Sequence, residues 1–172
     1  MSLIKQILQS EKKPKEKVVL LVENVKKEKT LFGELMEILK TGSDVEKGTV
    51  AEVMKHVTKE KPKIAIPYIN EMIEYINYKA PRVKWGIPES IGNMAQKFPK
   101  EVEKAVPKLF LNTKDKSTVV RWCAAFALSE IAINNSKLQK ELIPKFVIMV
   151  KKEQNNGVKN VYLKAIKILE KK

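Results

Sequence analysis

Apolar residues recur three and four positions apart along most of this chain, and nowhere does the pattern alternate with a period of two. That spacing places them on single helical faces and predicts an all-α protein. Four stretches share one layout. Each has a basic residue, Lys47, Lys84, Arg121 or Lys159, followed by apolar residues three, seven and ten places on. Those residues are Val50, Met54 and Val57; Ile87, Ile91 and Met94; Ala124, Leu128 and Ile131; and Tyr162, Ile166 and Leu169. Successive basic residues lie 37, 37 and 38 positions apart. A fixed period of this size is the mark of a helical repeat.

A first helix is expected before each of these second helices. Pro67, Pro107 and Pro144 precede the apolar stretches 68–76, 108–111 and 145–150, and proline suits a first helical turn because no intrahelical partner is needed for its nitrogen there. Thr30 reads as an N-cap for a helix over 31–39. Ser43-x-x-Glu46 and Ser136-x-x-Gln139 fit capping boxes, and Asn155-Asn156-Gly157 reads as a turn. Two more periodic stretches, 3–8 and 18–25, separated at Pro14, make a degenerate capping pair. The expectation is a single domain over 1–172. It comprises a cap at 1–29 and repeats at 30–60, 61–98, 99–135 and 136–172, ten helices in five antiparallel pairs. One helix pair cannot cover both its apolar faces, so pairs stack into a right-handed α-α superhelix, a solenoid with a period of about 37 residues. Pro88, just after Gly86, falls inside the third second helix and predicts a kink or a late start near 85–88.

Composition narrows the chemistry. One cysteine excludes an intramolecular disulfide framework, and with one histidine, His56, it excludes Cys- and His-rich metal centres. Cys123 lies in the run Trp-Cys-Ala-Ala-Phe and is expected to be buried and inert. No glycine-rich phosphate loop, nucleophile elbow or Cys–His pair is present, so no catalytic residue, metal or cofactor is expected. The longest apolar run, 18–22, is far short of the roughly 20 residues of a membrane span. The opening MSLIKQILQSEKK has no continuous apolar core of a leader, and the expected compartment is the reducing cytoplasm.

The formal net charge is +14, with +11 of it in residues 81–172. Such a field attracts polyanions. Of the 34 basic residues, however, only Arg82 and Arg121 are arginines, and a lysine-coated helix surface is ordinarily a solvated one. Lys159, Lys164 and Lys167 are the candidate phosphate contacts. Trp85 and Trp122 occupy the same phase, directly after the basic residue, which places them side by side on adjacent second helices. Glu89 and Phe126 follow one turn later. These rings either form an exposed aromatic patch or pack between repeats as core.

The layout resembles HEAT repeats. Asp115, Arg121 six places on, and then Ala124, Ala125, Leu128 and Ile131 are similar to that family's second helix, and Glu153 and Lys159 repeat the acid–base spacing. Thr41 and Tyr78 stand where the other two units would need the acid. The resemblance implies a loop acid holding the next helix's arginine in register. It also implies a non-enzymatic scaffold that captures a protein partner on the concave face of its second helices, through Trp85, Glu89, Arg121, Trp122 and Phe126. The alternative is binding of nucleic-acid phosphates by the basic C-terminal half. A remoter one is an activity like that of the DNA alkylation-repair glycosylases, which are built on similar repeats and use aromatics and a carboxylate, although Glu89 stands where those enzymes carry Asp.

Overall fold

The computed structural model describes residues 1–172 and is all-helical, with no strand. The helices are α1 (Leu3–Gln9), α2 (Pro14–Lys27), α3 (Leu31–Thr41), α4 (Asp44–Glu60), α5 (Ile69–Ile73), α6 (Pro81–Met94), α7 (Pro99–Val102), α8 (Val106–Asn112), α9 (Thr118–Asn134), α10 (Ser136–Lys152) and α11 (Asn156–Glu170). Two 3-10 segments, Pro62–Tyr68 and Glu103–Ala105, lead into α5 and α8. A connected core runs from Ile4 in α1 to Leu169 in α11.

The long helices α2, α4, α6, α9 and α11 pack one against the next in that order. Their close approach has a sequence cause. A Cβ on Gly86 of α6 would lie 2.5 Å from the main-chain carbon and oxygen of Ala51 on α4. A Cβ on Gly92 would lie 2.7 Å from the Phe126 ring on α9. Both positions therefore need glycine for contact rather than for backbone freedom. Polar ties reinforce the seams. Asn93 of α6 donates to the Lys55 carbonyl at 3.0 Å and to the Thr58 hydroxyl at 3.3 Å, both on α4. Buried Asn112 of α8 donates to the Ile76 carbonyl at 2.7 Å and accepts from Asn77 at 2.7 Å.

The intervening helices are less regular. Pro62 opens a 3-10 segment and Pro67 lies inside it, so only the short α5 follows. Pro99 opens α7, and Pro107 sits in the first turn of α8 as expected. Pro144, by contrast, is interior to α10, which starts at Ser136. Pro88 is also interior: α6 begins at Pro81, so the helix does not start late. Ser90 Oγ donates to the Gly86 carbonyl at 2.7 Å in this same turn, a side-chain bond that competes with the helical ladder.

Side-chain caps start four of the helices: Ser2 for α1, Ser43 for α4, Ser117 for α9 and Asn155 for α11. Ser43 and Glu46 form the reciprocal box, at 2.8 and 3.2 Å. Thr30 holds the N-cap position of α3, but its hydroxyl turns to Glu28 at 2.7 Å instead of capping. Ser136 is not a cap. Asn135 precedes it as N-cap, and Gln139 reaches back to the Ala132 carbonyl at 3.0 Å. The 155–157 stretch is a helix start rather than a turn, because Asn155 accepts from the Val158 N–H at 3.1 Å.

Charged pairs follow a rule that differs from the expected one. Asp115 does not pair its carboxylate with the Arg121 side chain. It accepts from Lys84 Nζ at 2.7 Å, 31 residues earlier. Arg121 in turn grips Glu153, 32 residues later, through Nε at 3.0 Å and an Nη at 3.1 Å. Lys47 obeys the same offset: its ammonium lies 4.7 Å from the ring of Tyr78, 31 residues on, and donates to the Lys40 carbonyl at 3.1 Å. Tyr78 is thus no gap in the pattern but a cation–π partner, whose own hydroxyl donates to Asp44 at 2.7 Å. Each base reaches forward to the residue that introduces the next long helix, and so ties neighbours together.

Burial opposes ionisation of Asp115, but the Lys84 and Ser117 hydrogen bonds and nearby Arg121 outweigh it, and its pKa is lowered. Glu153 is likewise lowered against its burial by Arg121 and the Asn155 N–H. A lowered folded pKa contributes stability that is present above the unfolded value and lost as pH falls through the folded one. Urea midpoints should therefore hold at neutral pH and decline below about pH 4.5, starting near the unfolded carboxyl values. Replacing Asp115 by Asn should flatten that decline.

Candidate functional site

The face shared by α6 and α9 gathers the aromatic candidates. Positions 122, 126 and 130 are one turn apart on α9, so Trp122, Phe126 and Glu130 form a single file. The Trp122 and Phe126 rings stack in parallel, with centroids 5.7 Å apart and planes within 2°. Phe126 is half-buried and seated over Gly92 of α6, where a side chain would block it. Trp122 lies on top with 38% of its surface exposed. The expected neighbour relation of α6 and α9 is present. Trp122 nevertheless finds its stacking partner on its own helix.

Trp85 on α6 is half-buried, and its indole N–H is enclosed without an acceptor. Glu89, one turn further, is half-buried and accepts from the Cys123 thiol at 3.3 Å. Cys123 is fully buried, as expected. Burial, reinforced by the charge and hydrogen bond of Glu89, pushes its thiol pKa far up, so it is not a thiolate nucleophile. Glu130 is half-buried. Burial raises its pKa, while Lys164 of α11 pulls the other way.

Arg121 is placed differently from the other candidates. Besides Glu153, its guanidinium donates to the Asp115 and Lys116 carbonyls at 3.0 and 3.1 Å and to the Thr118 hydroxyl at 3.4 Å. All five of its N–H donors are taken up inside the protein. On α11, Lys159 is half-buried while Lys164 and Lys167 are exposed, and none of the three has a carboxylate within ion-pair distance. His56 is exposed, with Nε2 at 3.9 Å from Glu52.

One exposed apolar residue extends this face beyond the expected set. Val119, 48% exposed, begins the stripe 119–122–126 on α9. The signal was present as a second apolar stripe on α9, opposite the core positions Val120, Ala124, Ala127 and Leu128. An amphipathic helix needs only one such stripe.

No helix is long and apolar enough to cross a membrane. No protein-family model matches the chain, and no curated protein matches it. Among solved structures it is similar to the crystal structure of an engineered protein, a structural-genomics target. The TM-score is 0.61 at 12% identity, covering 99% of this chain and 98% of that one. The likeness is one of fold.

Proposed function

We propose that the chain is a HEAT-like α-solenoid of five helix pairs with a period of about 37 residues, and that it works as a non-enzymatic scaffold. The grouping α1–α2, α3–α4, Pro62–Ile73 with α6, Pro99–Asn112 with α9, and α10–α11 supports the five pairs. The forward-reaching ties at offsets of 31 and 32 residues support the period. On this reading the face of α6 and α9 is the inner, concave one, and it captures a helix or extended segment of a protein partner.

The observation that carries the reading is the exposed Trp122 ring, held flat on Phe126. An exposed ring already fixed in one orientation loses little freedom on binding, which suits it as an anchor. Val119 widens the apolar contact, and Glu89 and Lys164 at its margins would set the direction of the bound segment.

The test is affinity capture on immobilised protein, with wild type and Trp122→Ala run in parallel. Trp122 makes one ring stack at the surface, so the variant should lose only about 1 kcal/mol of stability. Proteins retained by the wild type should be lost with Trp122→Ala while the circular dichroism spectrum stays unchanged. Identical retention by both proteins would remove this face from the function.

A further inference from the structure

A second feature lies away from the aromatic face, where α2 and α4 end. A cleft of about 840 Å³ opens between the segments 26–30, 60–68 and Lys97. Six lysines line it: Lys26, Lys27, Lys29, Lys61, Lys63 and Lys97. Only two carboxylates, Glu28 and Glu60, accompany them.

The partners of these groups divide the lysines into two sets. Lys26 is ion-paired with Glu60, and Lys61 donates to the Lys26 carbonyl at 3.0 Å, at the end of α2. Cations at helix C-termini are favoured by the exposed carbonyls, so these two have a structural reason to be there. Glu28 is turned onto the Thr30 hydroxyl at 2.7 Å and its N–H at 3.3 Å. Lys27, Lys29, Lys63 and Lys97 have neither a carboxylate nor a carbonyl partner. All four are exposed. Ammonium groups that repel one another around one concavity focus a positive field into it. The walls are not purely charged. Pro67 and Ile64 give apolar contact, and Tyr68, fixed by stacking on Phe32 at 5.4 Å, brings a phenolic hydroxyl.

We infer that this cleft is a binding site for a ligand carrying several adjacent phosphates, with Lys27, Lys29, Lys63 and Lys97 as the phosphate contacts. Four unpaired ammonium groups in one cleft match a run of phosphates better than a single one, since each lysine acts as a point charge toward its own oxygen. The α11 lysines are a poorer site for the same chemistry, because they line no concavity of this kind and Lys159, Lys164 and Lys167 stand along one convex helix. The run of phosphates belongs either to a nucleic-acid backbone or to a compact polyphosphate, and the two are told apart by the probe.

The experiment uses the full chain and a fluorescein-labelled 20-nucleotide oligo(dT), titrated at 50 and 200 mM salt. Tripolyphosphate and ATP serve as competitors. Two double charge reversals of equal net charge are compared, Lys27→Glu/Lys63→Glu in the cleft and Lys12→Glu/Lys15→Glu on the exposed start of α2. Binding by the wild type should fall steeply with salt. The cleft variant should bind at least about tenfold more weakly, and its log–log salt slope should shrink by about 1.4 for two lost phosphate contacts. The α2 variant should change affinity by no more than about twofold, the effect of the general field alone. Displacement by tripolyphosphate at concentrations near those of the oligonucleotide assigns a compact ligand, and displacement only by unlabelled oligonucleotide assigns the backbone. Absence of binding at 50 mM salt overturns the inference, and so does an equal loss in both variants.

Discussion

Replacing Gly86 by alanine is expected to destabilise the protein by about 2–3 kcal/mol, against the usual benefit of removing a helical glycine. Alanine gains about 1 kcal/mol of helix propensity over glycine in a helix interior. Here the new methyl group would stand 2.5 Å from the Ala51 carbonyl carbon and oxygen. Those atoms belong to a helix main chain and cannot turn aside as a side chain can. The α4–α6 seam must open; overpacking usually costs about 1–3 kcal/mol and occasionally more, and with main chain as the obstacle this seam falls at the upper end, about 3–4 kcal/mol before the propensity gain is subtracted. The clash outweighs the propensity gain. Urea unfolding should show a lower midpoint at unchanged slope, and the melting temperature should fall by about 4–12 °C in a chain of this length. Gly33→Ala is the matched control. Its nearest contact is the Tyr68 hydroxyl at 2.9 Å, the tip of a side chain and not main chain, so its effect should be smaller. A Gly86→Ala protein as stable as the wild type would mean that α4 and α6 do not approach as described.

Arg121→Ala should cost a comparable amount, about 2–4 kcal/mol, for a different reason. The Glu153 side chain is 5% exposed and that of Arg121 19%, so truncation leaves a nearly buried carboxylate without its bidentate partner. An unpaired buried charge is far more costly than an absent pair. The Asn155 N–H at 3.0 Å still reaches Glu153, which keeps the loss at the lower end of what fully buried pairs show. Two further results follow from that account. Arg121→Met/Glu153→Leu should recover much of the loss, because it removes both charges and restores apolar packing. The gap between wild type and Arg121→Ala should narrow at pH 4, where the stranded Glu153 of the variant takes up a proton. A gap that does not change with pH would show that lost packing, not the stranded charge, dominates.

The long helices were legible because their apolar faces are set by local spacing. The phase of Val50, Ile87, Ala124 and Tyr162 alone places α4, α6, α9 and α11. The fragmented elements were less legible. A proline reads alike in sequence at 67, 107 and 144, but the first lies in a 3-10 segment, the second in a first turn and the third in the middle of α10. What decides among them is the packing of the flanking residues, which spacing does not contain. The charged pairs were misassigned for a related reason. Six residues separate Asp115 from Arg121 along the chain, yet the bonds that form span 31 and 32 residues, between neighbouring long helices. The aromatic site was half legible. Phase picked out Trp122 and Phe126, whereas the commitment of all the Arg121 donors depends on where Glu153 arrives. The lysine cleft escaped a charge count taken along the chain. Its contributors come from three separated segments, one of them in the charge-balanced stretch 44–80, and Glu60 of that stretch is bound to Lys26.

The glycine seams and the 3-10 turns make parts of the molecule mechanically unequal. The helices α4, α6 and α9 meet through glycines, with main chain or ring in direct contact, so the distance between them has little room to change. Before α5 and α8 the chain passes through 3-10 turns at 62–68 and 103–105, whose hydrogen bonds are fewer and poorer. Bending strain applied to the whole would collect in those turns. The spacing between Trp85 and Trp122, set by the glycine seams, would stay nearly constant while the turns yield. On the proposed scaffold reading, the aromatic face would then act as a fixed template to which a bound segment conforms.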